Sequence, residues 1–311
     1  MNQTKKKNPL KRLLSMRGMG QVVTVTIGLI VLLVAFALIN PNFWSPTNRT
    51  NLLRQIAPIL IIGIAQSYVL ITGNIDLSIG SVVGMSTMVA ATLMSKGIMS
   101  PIPALLVTLL CCLLIGVLNG LLVAKFKLPP FIATLGTMTV ARGIAQLVNG
   151  NYNTDSIMKF YPEAAQTFKN VFYYGKTLGL YNGIWIAIIL WIVFNFLLSK
   201  TRTGRYIYAT GSNIDAARLS GVNVVSTTVI AYVVSAFCSF VVGIITCATV
   251  GQGTMDAGNS YEMYAVAASV IGGVSTLGGQ GILLGTVVGA AIWGTLQNGL
   301  QFAGAPVAIR N

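Results

Sequence analysis

Apolar runs of about 18 residues or more recur from one end of the chain to the other. Each is long enough to cross a hydrocarbon core of about 30 Å as a helix rising about 1.5 Å per residue. Lipid offers no water to the backbone, so a crossing segment bonds its own amides as a helix or closes into a barrel. The runs are continuously apolar rather than alternating, which excludes the barrel. The chain therefore reads as an all-α, polytopic α-helical membrane protein. Only 8% of its 311 residues are charged, against about 25% in a soluble domain.

About nine helices are expected, near 22–39, 56–72, 77–95, 104–124, 131–148, 183–199, 225–249, 262–275 and 282–302. The first run exceeds the about 7–15 residue core of a cleaved signal and many spans follow it, so it reads as an uncleaved helix despite Ala35-Phe36-Ala37. Asn40-Pro41-Asn42 and Pro46 end it in a loop that holds Arg49 and Arg54. The formal charge of +14 does not point to nucleic acid, because the basic residues sit in loops: Lys5 to Arg17, Lys125 with Lys127, and Lys200, Arg202, Arg205 and Arg218. Alternating the direction of each span places all three clusters on one side, the cytoplasmic one under the positive-inside rule. The organisation is then a basic cytoplasmic N-terminus (1–20), one transmembrane domain (21–302) and a short C-terminal segment (303–311). Within that domain, 149–182 is an external loop and 200–224 a cytoplasmic one.

Two places repeat a theme of short helix, polar break and spaced glycines: Asn74 to Gly84, and Ser275 to Gly289. They are either broken helices beside a substrate path, as in transporters built from internal repeats, or independent close helix contacts.

Catalytic machinery has no candidate. The six acidic residues form no pair with a nucleophile or base, and histidine is absent. The four cysteines lie in apolar runs and read as packing residues, with no metal site. No GxxxxGK[ST] phosphate loop is present, so uphill transport would draw on an ion gradient or a separate ATPase. Asp76 has two readings, a helix N-cap or an ionisable group lining the path. Arg142, within the fifth span, either pairs with a helix carbonyl or snorkels outward.

The segment Thr201 to Val224 is too polar to span and too patterned for a loose linker. It suits a short helix between Gly211 and Gly221, capped by Asn213, with small residues that could dock on a partner.

At Asp215-Ala216-Ala217 followed by Gly221, the chain resembles the permease subunits of bacterial ABC sugar importers, the ribose, xylose and galactoside group, with Asp in place of Glu in the EAA-x-x-x-G motif. Gly73-Asn74-Ile75-Asp76-Leu77-Ser78-Ile79-Gly80-Ser81, Leu128 to Met138 and Glu262 to Gly281 are similar to three further blocks of that group, in family order. The resemblance implies a permease homodimer in the bacterial inner membrane, cytoplasmic ATPase subunits that use ATP and magnesium, and an extracytoplasmic sugar-binding protein. No cofactor is expected on this chain itself. It implies ATPase coupling through Asn213, Asp215, Ala216, Ala217, Arg218 and Gly221, and a substrate pathway shaped by Asn74, Asp76, Ser78, Asn119, Thr134 and Thr137. Each of the latter could equally be a helix–helix hydrogen bond. The family pattern carries a tenth helix and a basic tail, whereas this sequence ends at Ala308-Ile309-Arg310-Asn311; the expectation is a permease lacking its last helix. The competing readings are an ion-coupled carrier centred on Asp76, a passive pore or scaffold, and an ABC permease for branched-chain amino acids, nucleosides or a sugar-like signalling molecule.

Overall fold

A computed structural model describes residues 19–304. The expected basic segment 1–20 and the segment 303–311 lie outside the described residues, apart from Met19, Gly20, Ala303 and Gly304. The chain is a polytopic helical membrane protein. Its spans are α1 (Met19–Ile39), α2 (Pro46–Ile71), α3 (Ile79–Ser95), α4 (Pro101–Ala124), α5 (Pro130–Leu147), α7 (Asn182–Lys200), α10 (Val224–Val250), α11 (Tyr261–Ile271) and α12 (Leu283–Phe302). Five of them, α1, α2, α4, α7 and α10, have the length and apolarity of a membrane crossing. Proline at the first or second position opens α2, α4 and α5, where its missing N–H costs nothing.

Three elements lie outside the spans: α6 (Pro162–Lys169), α8 (Arg202–Ser212) and α9 (Ile214–Leu219). The 149–182 loop is more ordered than a polar stretch suggests. It holds α6, a π-helical turn (Asn170–Tyr174) and a hairpin of β1 (Lys176–Thr177) with β2 (Leu180–Tyr181). Asn182 already belongs to α7, and Lys200 and Val224 belong to α7 and α10 rather than to the 200–224 loop. Arg49 and Arg54, expected in a loop, lie inside α2. Ser45 accepts from the Asn48 amide and starts that helix ten residues earlier than hydropathy alone indicates.

The core forms around α3, of whose 17 residues all but Leu93 are buried. Helices α2, α4, α5, α10 and α11 pack on it. Glycines set the distances: a side chain at Gly116 would meet the Tyr232 carbonyl at 2.8 Å, and one at Gly120 would meet Val229 Cα at 2.5 Å. Those contacts run α4 down beside the start of α10. Lys125 and Lys127 therefore share one end of the bundle with α8 and α9, the basic end, as the alternating topology predicts. The opposite end carries the 149–182 loop, where Tyr161 donates to the Gly97 carbonyl and Tyr174 to that of Thr249.

Two spans are interrupted, in opposite halves of the bundle. After α2, the irregular segment 72–78 climbs from the basic end to the start of α3. After α10, the irregular segment 251–260 descends from the loop end, with Gly253 against Ala91 and Gly258 against the Gly80 carbonyl. Then α11, 11 residues long, completes the crossing. The starts of α3 and α11 meet at mid-depth. Gly258 and Ser260 take left-handed backbone (φ +74° and +64°), so the chain reaches the middle of the bundle unwound and the eighth helix starts at Tyr261, beside the expected 262. It ends at Ile271 rather than 275, because the chain turns at Gly272 and left-handed Gly273 (φ +92°).

Candidate functional site: a glycine elbow beneath a buried polar junction

The segment between α7 and α10 is two helices rather than the one expected between Gly211 and Gly221. Thr201 Oγ1 accepts from the Gly204 amide and opens α8. Asn213 is extended (φ −162°, ψ 109°), which stops α8, and its Oδ1 accepts from Asp215 N at 3.0 Å and Ala216 N at 2.9 Å, which starts α9. The cap assigned to Asn213 is therefore formed. Gly221 turns the chain at φ +81°. Ala217 is buried, while Asp215 and Arg218 form an exposed pair at 3.6 Å, worth little in stability. Ile214 and Leu219 point away from the fold, Leu219 being 90% exposed.

Gly211, expected to flank the helix, lies inside α8 and is a contact. A Cβ there would overlap the Ile71 carbonyl oxygen and stand 2.7 Å from Gly279 N. Gly279 N donates to that same Ile71 carbonyl at 2.8 Å, and Gly278 fits against Gly73 Cα. Tyr208 donates to the Gly281 carbonyl at 2.6 Å; burial pushes its phenol up to about 12, so it stays a donor. Thus α8 touches both the end of α2 and the loop after α11, through the Gly211 backbone and the Tyr208 hydroxyl. A cavity of about 370 Å³ opens beside this elbow, lined by Gln21, Tyr208, Ser212, Gly272, Gly273 and Gln280 among others.

Above the elbow, four of the six residues expected to shape the pathway form one chain of hydrogen bonds. Thr137 Oγ1 donates to Asn119 Oδ1 at 2.6 Å, Asn119 Nδ2 to Ser78 Oγ at 2.9 Å, and Ser78 Oγ to Asp76 Oδ1 at 2.6 Å. Asp76 Oδ1 also accepts from Ser78 N at 2.9 Å, which closes a turn just before α3 and does not cap it, the cap residue being Ser78, and Oδ2 accepts from Ser235 Oγ at 2.7 Å. Thr134, one turn before Thr137, returns its hydroxyl to the Pro130 carbonyl, and Asn74 bonds Thr72 Oγ1. The linked four are buried and line none of the cavities described here. Their chemistry is to hold segment 72–78 unwound without leaving its polar groups bare.

Ser235 and Tyr232 were missed from sequence; Tyr232 donates to the Ile75 carbonyl at 3.0 Å. Their one signal is spacing, three residues apart on one face of α10. Arg142 takes neither of its two expected courses. Its Nη1 donates to the Met255 and Ala257 carbonyls at 3.0 and 2.9 Å, pinning the unwound segment 251–260 rather than a helix. Near that point Asp256, Asn259 and Ser260 are exposed. The four cysteines are free, as expected of packing residues.

A family model described as "Branched-chain amino acid transport system / permease component" matches residues 48–311. Among curated relatives, the ribose import permease protein RbsC of Haemophilus influenzae is 40% identical over 278 residues, covering 88% of this chain and 84% of the relative. The galactofuranose transporter permease protein YtfT of Escherichia coli is 36% identical over 307 residues, with 96% and 86% covered. The galactose/methyl galactoside import permease protein MglC of Escherichia coli is 34% identical over 292 residues, with 88% and 86% covered. The match spans every element of the elbow and the buried junction, and the chain belongs to this family of transport permeases.

Proposed function

We propose that the chain forms the membrane-spanning part of an ATP-powered importer for a monosaccharide such as ribose, xylose or galactose. The observation that carries the reading is the elbow: an exposed α8–α9 unit, with Ile214 and Leu219 bare, seated by backbone contact on the breaks that interrupt two spans. Such a unit suits a cytoplasmic ATPase that grips it and moves it as a lever. The sugar class follows the relatives, which import ribose, galactofuranose and galactosides by name. ATP and magnesium would be used by the partner ATPase subunits, and a binding protein would deliver sugar at the loop end.

In this reading the basic end and the N-terminus face the cytoplasm of a bacterium, and residues 21–302 act as one permease domain. Asn213, Asp215, Ala216, Ala217, Arg218 and Gly221 form the coupling surface. Asn74, Asp76, Ser78, Asn119, Thr134 and Thr137 shape the route by fixing the break before α3. A second copy packs on the outward face of α5. Support for that partner comes from Gly136 and Gly143, which face open space, and from the exposed polar apex at Asp256, Asn259 and Ser260, which lipid would not solvate. The Asp76 ion-carrier reading is not favoured by the relatives.

The test is uptake into proteoliposomes holding the chain with its ATPase and binding protein. D-ribose, D-xylose, D-galactose, isoleucine and a nucleoside form the substrate panel. Uptake of a sugar that needs ATP and both partners is expected. Uptake that persists without them and collapses with an ion gradient would sink the reading.

A further inference from the structure

The loop end holds a cleft that none of the pathway expectations included. It consists of two cavities of about 360 and 250 Å³ that share Arg54, Gln55 and Tyr173. The outer one is walled by the first turns of α2 and the last turns of α12. The deeper one reaches Tyr261, the first residue of α11, at mid-depth.

Its walls carry amides at helical spacing on facing helices. Asn51 and Gln55 lie one turn apart on α2, and Gln297 and Gln301 one turn apart on α12. Asn48 and Asn298 also line it, but they bond each other at 2.9 and 3.1 Å and close one wall. One turn below Gln297, Trp293 packs tilted at 42° against Tyr264, which lines the deeper cavity, with ring centroids 5.3 Å apart, and its indole Nε1 is buried without a hydrogen-bond partner among the described residues. An orphan donor at that depth costs about 1–3 kcal/mol unless something accepts from it. Among the described residues Arg54 is the one charged side chain lining either cavity. Its guanidinium stands over the rings of Tyr173 at 4.2 Å and Tyr181 at 4.1 Å, and its buried Nε has no hydrogen-bond partner among the described residues.

Planar amides offer a donor and an acceptor each, which matches vicinal hydroxyls, and tyrosine faces match the C–H face of a ring. The unpartnered Nε–H of Arg54 adds one more donor that a ring hydroxyl can satisfy. We propose that this cleft within a single chain is an outward-facing binding site for a neutral, polyhydroxylated ring, held by Asn51, Gln55, Gln297 and Gln301. The ligand class rests on the sugar-import reading above; the location does not.

The test uses the full chain in lipid nanodiscs, carrying Gln297→Cys, with labelling by a water-soluble maleimide followed by intact mass. The unsubstituted chain reports the background from its own four cysteines. D-ribose or D-galactose at millimolar concentration is expected to slow labelling at position 297 severalfold, while isoleucine and ribose 5-phosphate do not. In the assembled importer, Gln55→Leu with Gln297→Leu is expected to raise KM for sugar about tenfold, leaving kcat and ATPase assembly unchanged. Sugar uptake by the unsubstituted importer with labelling indifferent to every sugar would overturn the site while the import reading stands. Protection by ribose 5-phosphate or inorganic phosphate where neutral sugars give none would overturn the ligand class. An unsubstituted importer that moves no sugar, with isoleucine slowing the labelling, would overturn the import reading and the neutral ligand while keeping the cleft.

Discussion

Replacing Gly211 with alanine is expected to uncouple ATP hydrolysis from transport without unfolding the chain. A Cβ at that position would overlap the Ile71 carbonyl oxygen, stand 2.7 Å from Gly279 N and lie 2.9 Å from the Ile71 carbonyl carbon. Ordinary contact lies at about 3.5–4.0 Å, so α8 must withdraw by about 1 Å or more. The neighbours are backbone and cannot rotate aside, so the strain falls in the range of about 1–3 kcal/mol for an added methyl in a packed site. Withdrawal also stretches the 2.8 Å bond from Gly279 N to the Ile71 carbonyl, the tie between the two interrupted spans. Helix shifts of about 1–2 Å are the size of movement by which subunit interfaces switch, so this displacement consumes the stroke itself. Sugar moved per ATP in proteoliposomes is expected to fall about tenfold, with ATPase copurification retained. Gly28→Ala is the control, since nothing stands within 4 Å of that glycine in α1. A Gly211→Ala importer with the coupling ratio of the unsubstituted protein would refute the elbow as the transmission point.

Asp76→Ala strands three donors, the Ser78 amide and the hydroxyls of Ser78 and Ser235. It should lower the melting temperature in detergent more than Ser235→Ala does, at about 1–3 kcal/mol for each donor left unpaired; equal shifts would argue that the carboxylate does not organise the break. Arg142→Gln removes two carbonyl contacts and should speed amide exchange within 251–260 while leaving α10 unchanged. Leu219→Asp, at an exposed position, should leave thermal stability intact and abolish copurification of the ATPase. Gly136→Cys in native membranes should form a disulfide-linked dimer under mild oxidation, and a cysteine at lipid-facing Ile27 should not.

The spans were legible because lipid imposes one rule on every residue of a crossing: α4, α7 and α10 begin and end within three residues of the hydropathy reading. The start of α2 was not, because Asn48, whose side chain bonds Phe43 and Asn298, and Arg54, which stands over two tyrosine rings, depress the hydropathy of its first turns. Asn213 was legible as a cap because capping is local, two and three residues along the chain. Ser235 was not, because its bond to Asp76 joins residues 159 apart. Gly211 reads in sequence as flanking a short helix, whereas it lies inside α8 and makes a contact. Sequence records that a glycine is there, and only packing tells whether it bends its own chain or makes room for another.

The shortness of α11 carries an electrical consequence. Its first residue lines the deeper outer cavity, and Gly272, just past its last, lines the inner one. With solvent in both cavities, the membrane potential no longer falls over the full hydrocarbon thickness of about 30 Å. It falls over an 11-residue septum roughly 16 Å long, which about doubles the local field. A neutral sugar crossing that septum does no work against the field, whereas an ion would meet the whole potential, about 2.3 kcal/mol per charge per 100 mV, in a single helix length.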